Sequence, residues 1–191
     1  MTDDRRTAGI RNPGDPDARQ AIERILRVDQ AGEYGAVRIY DGQLAALKWT
    51  GRGNGAAGRK IAQMAKAERE HSRTFDRLIA ERRVRPTILS PLWGGAGFAL
   101  GVATALMGEK AAMACTVAVE ETIDEHYARQ AAELGDDEAP LRATIAKFRA
   151  EEIEHKDQAL ASGAEETPGY RPLTAAIKAG SRLAIWLSTR I

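Results

Sequence analysis

Apolar residues recur at near-helical spacing through most of the chain. Ile22, Ile25, Leu26, Tyr34, Val37 and Leu44 mark a first long helix over about Arg19–Lys48. Four glycines between Gly51 and Gly58 interrupt it, and a second helix is predicted from Lys60 to about Arg82. A third runs from Glu109 to about Leu134. Gly135-Asp136-Asp137 makes a turn, and Pro140 suits the first turn of a fourth helix that ends near Ala161. Pro168 and Gly169 break the chain before a last helix, apolar at Leu173, Ile177, Leu183, Ala184 and Trp186, over about 173–188. No stretch alternates in the manner of a β-strand. The prediction is an all-α protein of two helical hairpins joined by a long crossover at 83–108, which is the connectivity of ferritin-like four-helix bundles.

The crossover departs from the rest. From Pro86 to Gly108 there is no charged residue, and about 20 apolar residues suffice to span a bilayer. Pro91, Gly94-Gly95 and Gly97 interrupt the run. It reads as a membrane-surface or substrate-facing segment with a short helix around Phe98–Leu106, rather than as a spanning helix. Gly32 and Gly35, inside the first helix, read as points of close backbone approach.

Composition narrows the class. With 191 residues the chain suits one domain, 19–191, preceded by a flexible polar leader over 1–18. A net charge of +1 with interspersed signs leaves no field for nucleic acid. The single cysteine, Cys115, lies in an apolar run and reads as buried and inert. The leader lacks the apolar centre of a secretory signal.

Two segments carry chemistry. Glu68-Arg69-Glu70-His71 in the second helix and Glu152-Ile153-Glu154-His155 in the fourth are both Glu-x-x-His. Positions three apart lie about 60° apart around a helix, so each pair points one way. One such pair is more often a solvated helix face. Two of them, each following a Glu in an apolar helix, are a different matter. Glu120 and Glu152 are 32 residues apart, centred on the predicted turn at Asp136. Glu33 and Glu68 are 35 apart, centred near Thr50 at the glycine-rich loop. Each hairpin therefore returns its Glu-x-x-His to the level of its lone Glu. Four carboxylates and two imidazoles are the ligand set of a di-iron or di-manganese bundle. Glu121 competes with Glu120 for the fourth carboxylate. Glu70, Glu151 and Glu154 are out of phase with their histidines, as surface or supporting residues. His126 is off phase from Glu120 by about 120°; with Asp124 and Tyr127 it is a candidate for orienting ligands by hydrogen bonds, or simply a partly buried histidine.

Longer segments are then recognisable. Arg27-Val28-Asp29-Gln30-Ala31-Gly32-Glu33-Tyr34-Gly35-Ala36 with Ile39-Tyr40 and Gly42-Gln43, Ala114 to Glu121 with His126-Tyr127, Glu151-Glu152-x-Glu154-His155, and Ala179-Gly180-x-Arg182-x-Ala184-Ile185 resemble the signatures of the demethoxyubiquinone hydroxylase family of ubiquinone biosynthesis. The resemblance covers about residues 20–191. It implies that Glu33, Glu68, His71, Glu120, Glu152 and His155 are the metal ligands, which selects Glu120 over Glu121. It implies a membrane-associated di-iron monooxygenase with two Fe ions that hydroxylates the ring of a demethoxy polyprenyl benzoquinol with O2. Electrons would come from NADH or the quinone pool. It also implies a peripheral location on the cytoplasmic face of the bacterial inner membrane (the matrix side of the mitochondrial inner membrane in a eukaryote), a lipid-binding accessory protein and other enzymes of the pathway as partners. Two positions depart: Gln30 where many members carry His, and Glu125 where some carry a second His beside His126. On the bundle alone, a ferritin-like iron-binding or storage protein is the alternative. The apolar crossover and last helix are expected to touch the membrane, with Arg171, Lys178, Arg182 and Arg190 available to anionic headgroups.

Overall fold

The computed structural model describes residues 17–191, so the predicted leader up to residue 16 lies outside the described residues. Six α-helices follow one another: α1 Ala18–Trp49, α2 Ala56–Glu81, α3 Ser90–Met107, α4 Glu109–Glu133, α5 Ala139–Leu160 and α6 Tyr170–Ser188. There is no strand among the described residues. Asp17 caps α1, accepting from the Gln20 backbone N–H at 2.7 Å while its own N–H donates to the Gln20 side chain at 3.2 Å.

α1 with α2 and α4 with α5 form two hairpins that close a four-helix bundle. Besides a smaller patch of Ile39, Cys115, Ala118, Val119 and Ile177, the apolar core falls in two blocks, one at each end. Leu47, Ile61, Met64, Met113 and Val117 fill one. Leu26, Phe75, Leu141, Ile145 and Phe148 fill the other. The polar cluster described below lies at the level between them. α3 lies along α1 and α6 along α4, both outside the bundle.

The crossover differs from its prediction. It is one continuous helix through Gly94, Gly95 and Gly97, not a short helix starting near Phe98. Packing overrides the poor helix propensity of glycine. A Cβ at Gly101 would lie 2.0 Å from the Ile39 carbonyl oxygen, and one at Gly42 would lie 2.2 Å from the Phe98 carbonyl. A Cβ at Gly97 would stand 2.8 Å from the Gly35 carbonyl. α1 and α3 therefore meet backbone to backbone along a glycine-lined seam. Gly108, at φ 135°, then turns the chain directly from α3 into α4.

Gly35 meets the expectation of close approach through its carbonyl, which faces Gly97, but Gly32 does not. A Cβ at either would meet nothing within 4 Å. They open the floor of an apolar cleft of about 580 Å³ between α3 and α6, over α1 and α4. That volume lies in the range of small-molecule sites. Trp93 on α3 donates to Ser188 on α6 across one end at 2.9 Å. Around the cleft, Leu92, Leu106, Met107 and Trp186, with Leu183 of its lining, leave an apolar rim exposed. α3 is long and apolar enough to cross a membrane by length and composition alone.

Candidate metal centre

Glu33 on α1, Glu68 and His71 on α2, Glu120 on α4, and Glu152 and His155 on α5 converge inside the bundle. All six are buried, His155 most accessible at 6%. Their ligand atoms form two overlapping groups, each with all members within 4.8 Å: Glu33, Glu68, His71 and Glu152, and then Glu68, Glu120, Glu152 and His155. Glu68 and Glu152, one from each Glu-x-x-His, belong to both.

The centre has more acceptors than donors. His71 Nδ1 stands 2.9 Å from Glu152 and 3.6 Å from Glu33. His155 Nδ1 stands 3.0 Å from Glu68 and 3.2 Å from Glu152. Several of these approaches are short without being aligned as hydrogen bonds. Both oxygens of Glu68, one each of Glu33, Glu120 and Glu152, and Nδ1 of His71 have no hydrogen-bond partner though fully buried. Unpaired buried polar groups cost roughly 1–3 kcal/mol each, and charged ones more. Two divalent cations would satisfy all of them, so the residues present fit a di-metal centre with an oxygen-rich, two-imidazole donor set.

Electrostatics give the same account. Burial and the neighbouring carboxylates push Glu68 and Glu120 well above the usual carboxylate range, and Glu33 is raised too. Burial opposes a charge on His71, but Glu152 and Glu33 outweigh it and hold the imidazole up to about 12. Glu152 and Glu68 likewise hold His155 up to about 9 against burial. Burial alone would raise Glu152, yet the two histidines bring it down to about 2. Protons thus stand in for cations when the centre is empty of metal. Each imidazole favours the folded state fully below its unfolded value near 6.5 and loses that contribution as pH rises through its folded value. The raised carboxylates Glu33, Glu68 and Glu120 act in the same direction. Metal-free protein should melt at progressively lower temperature as pH rises above about 6.5, most steeply between there and the His155 value near 9, where both imidazoles contribute, while metal-loaded protein should stay nearly flat. Parallel melting curves for the two forms would contradict this.

Supporting residues surround the six candidate ligands. Tyr127 on α4 donates to Glu33 on α1, and Tyr40 on α1 donates to Glu120 on α4 at 2.7 Å. Burial first, then nearby carboxylates, holds both phenols well above their ordinary value, so they stay donors. Tyr127 was expected near the ligands; Tyr40 was not singled out as a site residue. It stands seven residues after Glu33, as Tyr127 does after Glu120, a same-face signal that could have found it. Glu151 accepts from His71 Nε2 at 2.6 Å. Asp29, also missed, is buried and takes Gln130 at 2.7 Å and His126 at 3.2 Å. His126 is accordingly no ligand. Asp124 is a correction: it pairs with Arg149 at 2.6 Å on the bundle surface and touches no ligand, because its helical phase turns it toward the flank of α5.

Other ambiguities close. Glu121 pairs with Lys178 on α6, which leaves Glu120 as the carboxylate that faces the cluster. Glu125 pairs with Arg182 at 3.0 Å. Two of the four cations reserved for headgroups are therefore engaged with acidic residues of α4, contrary to expectation; Arg190 lies 4.1 Å over the Trp186 ring. Gln30 donates to Asp76 at 3.0 Å, so a histidine is not needed there for the ligand set. Burial pushes the Cys115 thiol up to about 12, consistent with an inert residue.

The family model described as "Ubiquinone biosynthesis protein COQ7" matches residues 20–188. The chain belongs to this family. A Rhodospirillum rubrum relative named 3-demethoxyubiquinol 3-hydroxylase is 58% identical over 187 residues, 98% of this chain and 86% of the relative. The human NADPH-dependent 3-demethoxyubiquinone 3-hydroxylase, mitochondrial, is 48% identical over 178 residues, 91% of this chain and 80% of the relative. The Saccharomyces cerevisiae 5-demethoxyubiquinone hydroxylase, mitochondrial, is 38% identical over 185 residues, 89% and 78% of the two chains. The protein is thus an enzyme of the hydroxylase type in ubiquinone biosynthesis, which favours the expectation of an enzyme over that of an iron store. The all-α, ferritin-like bundle accords with this membership.

Proposed function

We propose that this COQ7-family enzyme hydroxylates the ring of a demethoxy polyprenyl benzoquinol with O2, at two iron ions held by Glu33, Glu68, His71, Glu120, Glu152 and His155. The carrying observation is the buried six-residue cluster with unpartnered oxygens behind an apolar cleft of about 580 Å³. The names of the relatives supply the substrate class. Glu68 and Glu152, common to both ligand groups, would be shared between the two ions, with Glu33 and His71 holding one and Glu120 and His155 the other. Bound ferrous ions would supply O2 binding and electrons; per turnover a reductant would provide two electrons and solvent two protons, so that one oxygen atom enters the ring and the other leaves as water. The relatives named NADPH-dependent point to a nicotinamide as that reductant, directly or through the quinone pool.

The protein's own contribution is positional. Tyr40 and Tyr127 hold Glu120 and Glu33 from outside the cluster. The two apolar core blocks exclude water above and below it. α1 and α4 carry Glu33 and Glu120 on one face and the cleft floor on the other: Gly32 and Val119, each one residue before a ligand, line that floor. A prenyl tail lying along α3 and α6 would bring its ring against this wall. The exposed rim of Leu92, Leu106, Leu183 and Trp186 makes the peripheral membrane surface from which the substrate enters, on the cytoplasmic or matrix side.

Two measurements test the reading. Purified protein loaded anaerobically with Fe(II), given O2, a nicotinamide reductant and a demethoxy quinone, should form the hydroxylated ring; absence of product with two irons bound would sink the substrate assignment. In vesicle flotation, Leu183→Glu with Trp186→Glu should release the protein from lipid without altering metal content. Unchanged flotation would remove the proposed membrane face.

A further inference from the structure

The cluster has an approximate internal two-fold relation. α1–α2 repeats as α4–α5: Glu33 matches Glu120, Tyr40 matches Tyr127, and Glu68 and His71 match Glu152 and His155. Each tyrosine supports the lone Glu of the other half in the same way, so these contacts do not distinguish the two ends. The symmetry fails at the histidines. Glu151, the residue before Glu152, accepts from the outer nitrogen of His71 at 2.6 Å. Its own surroundings include Lys147 Nζ at 3.6 Å. Phe148, four residues before Glu152, stacks on the His71 ring with centroids 4.0 Å apart and planes at 26°. The corresponding positions before Glu68 are Ala67 and Met64. Ala67 has no side chain that reaches an imidazole, and no hydrogen bond to His155 Nε2 is formed among the described residues.

We infer that the two metal positions are unequal, the one at His71 and Glu33 binding first and more tightly because Glu151 positions His71, and the one at His155 and Glu120 filling second. This rests on the di-metal reading above. Glu151 fixes the tautomer with the proton on Nε2, turns the Nδ1 lone pair toward the carboxylates and makes it a better donor. Phe148 sets the plane of the ring. His155 has neither constraint, so its donor geometry is paid for on binding. Removing a partner of this kind typically weakens metal binding by about 10–100-fold.

The test is an anaerobic equilibrium titration of the metal-free full chain with Co(II), followed by absorbance and calorimetry. Wild type should show two steps separated by roughly 10–100-fold. His155→Ala should keep the tight step and lose the weak one. Glu151→Ala should weaken the tight step by about 10–100-fold so that the two converge, with Glu151→Gln in between. Glu151 is about one-third exposed at 35%, so its loss leaves the core intact. Ala67→Glu, where it folds, should tighten the second step. Two equal steps in wild type, or a Glu151→Ala protein with both steps unchanged, would overturn the inference. Fewer than two ions bound by folded wild type would instead overturn the di-metal reading itself.

Discussion

Glu152→Ala should yield a folded but less stable protein that binds no metal pair and has no hydroxylase activity. Glu152 is wholly buried and lies close to both imidazoles, 2.9 Å from His71 and 3.2 Å from His155. It belongs to both ligand groups, so its loss removes an oxygen from each metal position. In metal-free protein the same change leaves two buried imidazoles short of their shared counter-charge. Breaking a buried pair in this way costs about 3–5 kcal/mol. Part of that is recovered as the histidines give up their protons. Glu154→Ala, two residues on and exposed, should change neither metal content nor melting temperature. Iron analysis, turnover and melting curves on the two variants check the contrast. Full turnover by Glu152→Ala would remove the proposed centre.

The second large effect lies far from any ligand. Gly101→Ala puts a methyl 2.0 Å from the Ile39 carbonyl and 2.9 Å from the Gln43 nitrogen, both backbone atoms of α1. Neither atom can yield without moving a helix. α3 must lift from α1, at a cost of about 1–3 kcal/mol or more, and the seam beside the cleft opens. Turnover on a long-tailed substrate should fall more than metal binding does. Gly95→Ala is the control on the same helix. A Cβ there meets nothing within 4 Å, so the usual helix preference for alanine should hold, with stability unchanged or up to ~1 kcal/mol higher. Equal denaturation midpoints for the two variants would show that the seam is not tightly packed.

The contrast between these glycines marks a limit of reading along the chain. Gly95, Gly97 and Gly101 are alike as letters, and the low propensity of Gly94, Gly95 and Gly97 gives a reading of a broken segment before a short helix. The carbonyls that Gly97 and Gly101 face are contributed by α1, some sixty residues earlier, whereas Gly95 faces none, so nothing local distinguishes a glycine that breaks a helix from one that seats it. The same holds for Gly32 and Gly35. They read as sites of close approach, yet both line an open cleft and only Gly35, through its carbonyl, meets another backbone.

Four long helices and the six residues that cluster between them were legible because their signals are local or additive. A 3.6-residue period marks a helix, a three-residue step puts Glu and His on one face, and equal arm lengths about a turn return those faces to one level. Which side chains stand behind the ligands was decided by packing between hairpins. Glu151 looked out of phase because its phase was judged against His155 on its own helix, whereas its partner is His71 on α2. Asp124 looked near because Glu120 is near in number, whereas its helix turns it outward to Arg149. Sequence alone thus determined the bundle, the six residues and, through resemblance, the family. Only the tertiary structure decided that Glu68 and Glu152 are common to both ligand groups, that Tyr40 and Glu151 support the centre, and that α3 and α6 frame a cleft. The reason is physical: periodicity assigns a residue to a face, but which neighbour meets that face depends on how separate helices pack.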